Sequence, residues 1–296
     1  MSKPTASAPT AVLRASAPAN LQPEPTATLT PHPTKGPTLT PDPLGTVTAA
    51  QTAELLGAYP SPDERWLAEV LAYDCVPVGE GQQNAYQELR LTDTTSGEAR
   101  TVDSQLINCD GLGAYGLAGW FWSANSRFFY YTNASTGVPD GCGYFTSPYL
   151  RADTTDLSAE LLGMGALAPD QRKLAAWWEG EGEVRQDGWL AIWDVEGELL
   201  GIGRIPPPIL IPGPIAWSPE GQAVAFLTSE NYCPLGLTAL GRMQLDIMIP
   251  IVVLQSADPS FAGLAWQLAD RVELTDEQGG RWSYNFATRD LLPETP

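Results

Sequence analysis

Apolar and polar residues alternate in short runs along most of this chain, and the runs recur as copies of one phrase. The fullest copy, "WSPEGQAVAFL" from Trp217, joins an apolar lead-in, a Ser-Pro-acid-Gly turn and an alternating apolar stretch. Four others read the same way: "YPSPDERWLAEV" from Tyr59, "WSANSRFFYY" from Trp122, "LAPDQRKLAAW" from Leu167 and the more decayed "WQLADRVELT" from Trp266. Alternation of this kind, as in Trp66-Leu67-Ala68-Glu69-Val70, predicts strands with one face buried. The intervening turn predicts a hairpin, with Pro fixing φ at one position and Asp, Glu or Gly supplying local acceptors or φ freedom.

The turns begin at residues 61, 123, 168, 218 and about 267, at intervals of 62, 45, 50 and about 49 residues. A period of roughly 40 to 50 residues is that of a four-stranded propeller blade. A third strand follows each second one after a loop: "ELRLTD" at 88, "PYLRAD" at 148, "WLAIWD" at 189 and "RWSYNF" at 281. Several end in Asp before Thr, Ser or Gly, as in "DTTSG" from Asp93 and "DVEG" from Asp194, where the carboxylate can accept from its own turn backbone. A fourth strand closes each unit. The expected fold is all-β, a propeller of four-stranded blades over residues 49–296, with five blades countable and a sixth left open.

The phrase resembles the WD40-like (PD40-type) repeats of TolB-like proteins, the family of the periplasmic Tol-Pal propeller protein, over about residues 53 to 292. Trp217 to Gly221 keeps the aromatic, Ser, Pro, acid and Gly together; Asn125 and Ser126 replace acid and Gly in the second copy, and the fifth has lost Ser and Pro. The resemblance implies a propeller, and since that family usually has six blades, the count stays open. "AELLGAYPSPD" from Ala53 parallels "AELLGMGALAPD" from Ala159, whose Ala-Glu-Leu-Leu falls where the last strand of the preceding blade belongs. Residues 53 to 56 are therefore expected to complete the fifth blade and join the two chain ends, the alternative being a degenerate sixth blade.

Composition divides the chain. Residues 1–48 hold ten of the 27 prolines, with Thr, Ala and Ser and little apolar bulk, so they predict a disordered, partly polyproline-II tether. Beyond it stand 13 basic and 33 acidic residues, net −20, a balance that repels nucleic acid and anionic membranes. No run approaches the ~18 apolar residues of a membrane helix, and "MSKPTASAPT" lacks the apolar core of a signal peptide. A Thr/Pro tether nevertheless resembles the spacer after the lipidated cysteine of bacterial surface lipoproteins. That implies export to the periplasm or cell surface, with the membrane reached only through an N-terminal lipid anchor that is not in this chain.

The cysteines agree with export. Cys75, Cys109, Cys142 and Cys233 have no CxxC or other metal-ligand spacing, and an even number in a loop-rich domain favours two disulfides. Cys75 and Cys109 belong to one blade and its outgoing connection, so they are the preferred pair, leaving Cys142 with Cys233.

Candidate chemistry is sparse. The single histidine, His32, lies in the tether, so no Ser-His-Asp or Cys-His apparatus can form in the domain, and no GxSxG or HExxH occurs. No catalytic, metal or cofactor residue is assigned and no cofactor is expected. Asp93, Asp153 and Asp194 occupy equivalent repeat positions, which favours a turn role over asymmetric catalysis. Trp120, Trp122, Phe128, Phe129, Tyr130, Tyr131, Trp177, Trp178, Trp189 and Trp193 are read chiefly as filling the wedges between blades.

Strand alternation places all four cysteines on one face of the propeller, together with the longest insertions (75–86, 105–117, 133–147, 179–187, 229–242) and "IPPPILIPGP" from Ile205. Loops held on a rigid scaffold are where binding sites usually occur. Asn84, Asp140, Glu181, Ile209, Leu210 and Asn231 are the candidate binding-face residues. The expected function is a non-catalytic binding or scaffold module of the bacterial envelope, engaging a protein or glycan partner. The alternative is a glycan-active propeller enzyme using channel carboxylates.

Overall fold

The computed structural model describes residues 13–14, 38–39, 53–79, 82–109, 116–133, 148–178, 188–205, 211–231 and 236–294. Two dipeptide strands come first, β1 (Leu13–Arg14) and β2 (Thr38–Leu39). Blade 1 follows as β3 (Glu54–Pro60), β4 (Trp66–Ala72), β6 (Gln82–Asp93) and β7 (Ala99–Asn108), with a short β5 (Val76–Gly79) also paired to β6. Blade 2 is β8 (Leu117–Trp122), β9 (Phe128–Asn133), β10 (Pro148–Asp153) and the first part of β11 (Ser158–Leu167). Blade 3 takes the last part of β11 with β12 (Lys173–Trp178), β13 (Trp189–Asp194) and β14 (Leu199–Arg204). Blade 4 is β15 (Ile211–Trp217), β16 (Ala223–Ser229), β17 (Thr238–Gln244) and β18 (Pro250–Ser256). Blade 5 is β19 (Phe261–Leu268), β20 (Arg271–Asp276), β21 (Arg281–Asn285) and β22 (Asp290–Pro293). All pairings are antiparallel, and the fold is the expected all-β propeller of four-stranded blades.

Four apolar clusters each join consecutive blades. Ala68, Val70 and Leu89 of blade 1 meet Leu117, Phe129 and Tyr131 of blade 2. Phe128 and Tyr130 meet Leu174 and Trp193 across blades 2 and 3. Trp177 and Ile192 meet Trp217 and Phe226 across blades 3 and 4, and Leu227 and Leu240 meet Phe261 and Tyr284 across blades 4 and 5. Most of the aromatics therefore fill the wedges, as expected, but Trp120 stays 40% exposed on the innermost strand of blade 2, and half-buried Trp189 belongs to none of these clusters.

Each interface also carries an aromatic hydrogen-bond donor that a purely apolar wedge would lack. The indoles of Trp122 and Trp217 donate to the carbonyls of Tyr59 and Ala166 in the preceding blade, both at 2.8 Å. Trp177 donates to Gly213 O at 2.7 Å, Tyr130 to Val195 O at 2.9 Å and Tyr284 to Val253 O at 3.1 Å. A buried indole or phenol left without an acceptor would be destabilising, so these bonds fix which aromatic faces which carbonyl.

The junction of blades 2 and 3 shows how one strand serves two sheets. β11 pairs with β10 through Met164 and with β12 from Gly165 onward. At the changeover Gly163 has φ +103°, and a Cβ there would stand 1.8 Å from the carbonyl oxygen of Trp177, so only glycine fits.

The expected closure through residues 53 to 56 is not what forms. Glu54 pairs with Ala72 and Leu55 with Leu71, so this stretch begins the first strand of blade 1. The outer edge of β22 instead faces β1, with Leu13 opposite Leu291 and Arg14 opposite Asp290. No sixth sheet occurs among the described residues.

Candidate binding face

One rim of the propeller is made of the hairpin turns that the repeated phrase encodes, and their polar atoms are spent locally. Ser61 Oγ donates to Asp63 Oδ1 at 2.6 Å and accepts from the Trp66 amide at 2.9 Å, while Asp63 Oδ1 accepts from the Arg65 amide at 3.1 Å. Ser123, Asn125, Phe128 and Arg127 repeat this pattern at 2.7 to 2.9 Å. The residue that turns the chain is left-handed in four of the copies: Glu64, Ser126, Gln171 and Gly221, with φ between 58° and 65°. In the fifth, the loss of Ser and Pro shortens the turn until Leu268 pairs directly with Arg271.

The same rim carries the Asp turns between third and fourth strands. Asp93 Oδ1 accepts from Thr95 N at 2.9 Å and Ser96 N at 3.2 Å, Asp153 Oδ1 from Thr155 N at 2.8 Å, and Asp194 Oδ1 from Glu196 N at 2.6 Å. Asn285 does likewise between the third and fourth strands of blade 5, and Asp276 closes a turn of the same kind between its second and third strands, on the opposite rim. The amides of Thr95 and Ser96 hold Asp93 below the ordinary carboxylate range, and the Ser61 hydroxyl and the Arg65 amide do so for Asp63. Burial pushes Asp153 up, but Arg127 and Thr155 outweigh it and keep it low. The equivalent aspartates are turn acceptors, as their repetition implied. Blades are also stitched here: the Glu196 carboxylate accepts from the amides of Ala124 and Asn125 at 2.8 and 3.1 Å.

The opposite rim is unequal from blade to blade, and blade 1 stands out. Its β6 has 12 residues and β7 has 10, against 4 to 8 for every strand of blades 4 and 5. β4 pairs only with Gln87 to Asp93, so β6 runs on past it, flanked by β5 through Asn84 and by β7 through Asn108. At the tip Cys75 and Cys109 form a disulfide, closing a segment of 34 residues, and the Cys109 amide donates to Gln83 O at 2.8 Å. The expected loop 75–86 is thus a hairpin on a three-stranded extension. Val76 and Leu106 are exposed on it, at 40% and 52%.

Below the extension, on the side of blade 1 turned away from blade 2, a polar cluster surrounds buried Glu88. Tyr73 Oη donates to Glu88 Oε1 at 3.0 Å, Thr101 Oγ1 to Oε2 at 2.7 Å, and Arg90 pairs with the same carboxylate. The Tyr73 ring packs at a tilt against Tyr86, 5.3 Å between centroids, and burial raises the Tyr86 hydroxyl above the ordinary tyrosine range. Toward blade 2 the strand β7 buries a different acid: Asp103 Oδ2 accepts from Tyr131 Oη at 2.8 Å and Oδ1 from the Ser104 amide at 2.7 Å. Burial raises Asp103 above the usual carboxylate range despite both bonds.

Of the candidate residues, Asn84 lies in β6 opposite Val76 and Asn108, and Asn231 is exposed just beyond β16, its amide donating to Ser229 Oγ at 3.2 Å. Asp140, Glu181, Ile209, Leu210, Cys142 and Cys233 lie outside the described residues. Ile211, within the Pro-rich run, is the first residue of β15 and half-buried. The extension itself was not legible beforehand as strand; its only signal was the alternation in "QQNAYQELRL" running upstream of the predicted third strand. No group of His, Cys, Asp and Glu that could hold a metal ion occurs among the described residues.

No protein-family model matches the sequence, and no curated protein does. Among solved structures, the chain is similar to the Dos1 propeller at 13% identity, covering 83% of this chain and 60% of that one with a TM-score of 0.41. Porphyromonas gingivalis dipeptidyl peptidase 4 is similar at 10% identity, with 80% and 39% covered and a TM-score of 0.40. Kuenenia stuttgartiensis hydrazine synthase follows at 13% identity, with 81% and 79% covered and a TM-score of 0.37.

Proposed function

We propose that the protein is a non-catalytic binding or scaffold module of the bacterial cell envelope, TolB-like in kind, that engages a protein partner through the rim bearing the blade 1 extension. The observation that carries this reading is the contrast between rims. On one, the repeated carboxylates and hydroxyls are consumed by their own turns; on the other, a disulfide-clasped extension presents exposed Val76 and Leu106 beside half-buried Asn84. Rigid elements that hold apolar groups in water are suited to recognition. A disulfide is compatible with an oxidising compartment, and the Thr/Pro-rich residues 1–48 would serve as spacer from a lipid anchor preceding this chain.

The test is a pull-down from a native envelope with three proteins, each checked by thermal melting: unchanged, Val76→Glu with Leu106→Glu, and Glu64→Lys with Glu220→Lys. Loss of the captured partner with the first pair and retention with the second is the expected result. Loss with the second pair only refutes the assignment of the rim, and turnover of a glycan by the purified domain would replace the binding reading with an enzymatic one.

A further inference from the structure

The outermost strands of blades are open edges, with a row of backbone donors and acceptors that a further strand can pair. In this protein two such edges are occupied, both by the segment that precedes the propeller. Leu13–Arg14 lies antiparallel on β22, the outermost strand of blade 5, and Thr38–Leu39 lies antiparallel on Ala159 and Glu160, in the outermost strand of blade 2. The sequence says why the first seat falls there. Proline has no N–H to give a ladder, so an added edge strand is favoured where the chain is free of it. Pro9 and Pro18 bound the window "TAVLRASA", which holds Val12 and Leu13, the one β-branched aliphatic and leucine pair of the first twenty residues. Its register sets Leu13 opposite Leu291 and Arg14 opposite Asp290, opposite charges at facing positions.

Blade 5 has reason to need it. Among the described residues, no apolar cluster joins blade 5 to blade 1. The sides of these two blades turned away from their neighbours carry charge instead: Glu88 with Arg90 on blade 1, and Glu273 with Arg281 and Gln267 on blade 5. β22 is short, pairing with β21 over Leu291 to Pro293 only.

We propose that Leu13–Arg14 is an intramolecular strand donor that latches blade 5, adding a fifth strand to it at the edge of β22. The occupant of the β22 edge is this chain's own segment, and the 38 residues from Ala15 to Thr52 give it ample reach to blade 1. The inference is independent of any partner on the other rim.

Hydrogen exchange on the full chain reads it directly, at residues 290–293. The expected result is at least tenfold faster exchange there when residues 1–20 are deleted, and likewise with the single change Leu13→Pro, while β16 and β17 exchange as before. Arg14→Asp, which sets like charges opposite each other, should speed exchange, and Arg14→Asp combined with Asp290→Arg should restore it. Equal exchange at 290–293 in all of these proteins overturns the latch. Protection that grows with protein concentration, alongside a dimer in sedimentation, also overturns it and assigns the edge to the segment of a second copy.

Discussion

The two rims of this propeller are built from the same strands yet obey different rules. At the turn rim blades 1 to 4 repeat one solution: a Ser or Asp side chain closes its own hairpin, and a left-handed residue turns the chain. Such turns are short, satisfied and interchangeable. At the other rim the blades share nothing but their strand directions, and blade 1 has grown an extension that its own backbone pairing and one disulfide hold up. Repetition marks the positions whose work is structural, and departure from repetition marks where the molecule can do something of its own.

The largest effect that would sharpen this contrast is loss of the clasp. Replacing both Cys75 and Cys109 by Ser removes a link over 34 residues, which on loop-closure grounds is worth about 4 kcal/mol. Because β4 does not reach the extension, the loss should fall locally, as faster hydrogen exchange at 82–86 and 105–108, with exchange in blade 4 unchanged. A uniform loss across all blades would show that the extension is integral to the ring and no separate appendage.

At the turn rim the corresponding change is Ser123→Ala. Ser123 is fully buried, its hydroxyl bridging Asn125 and the Phe128 amide. Removing it leaves a buried amide without its partner and should lower stability by about 1–2 kcal/mol, read as a shift in denaturant midpoint with an unchanged slope. It should leave partner capture intact.

Much of this rim was legible in the sequence because its interactions are local. Asp93 bonds the amides two and three residues on, so the spacing alone carried the role. What sequence could not supply was anything depending on which blade lies next. Trp122 was recognisable as a wedge residue, but its indole acceptor belongs to the preceding blade, as does that of Trp217. The likeness between residues 53–57 and 159–163 misled for a related reason. At Gly163 a left-handed backbone passes the chain from one sheet to the next, whereas at the matching Gly57 a bulge merely shifts the register within one sheet. Identical letters therefore ended one blade and began another. On the opposite rim the candidate residues were placed by strand direction alone, which did not foretell that Asn84 sits inside a strand.

Acid titration separates the rims in a different way. Asp63, Asp93 and Asp170 are held low by turn hydrogen bonds, so their contribution is present above the unfolded-state pKa and is lost as pH falls through the folded one. Asp103 runs the other way: its folded pKa is raised, so what it contributes is complete below the unfolded pKa and is lost as pH rises through the folded value. Asp103→Asn keeps an acceptor for Tyr131 and removes the charge, and should therefore flatten the decline in stability between mildly acidic and neutral pH. An unchanged pH profile in melting experiments would mean that Asp103 titrates in the folded protein as it does in the unfolded chain.

The smallest predicted effect completes a turn that the repeats left unfinished. In blade 3 the serine position is Ala168, buried among apolar neighbours, and Asp170 Oδ1 accepts only from the Arg172 amide at 2.9 Å among the turn's backbone groups. In blades 1 and 2 a serine at this point donates to the residue two positions on and accepts from the amide five positions on. Ala168→Ser would present the same hydroxyl to Asp170 and to the Lys173 amide, in a turn already closed by the Gln171 amide on Ala168 O at 2.9 Å. The added oxygen is small, and both partners stand where the other blades hold theirs. The expected gain is about 0.5–1 kcal/mol, seen as a higher midpoint in denaturant. Destabilisation instead would show that blade 3, whose first strand is borrowed from β11, holds its turn too tightly against blade 4 to accept the repeat's own residue, and the equivalence of the turns would fail at that blade.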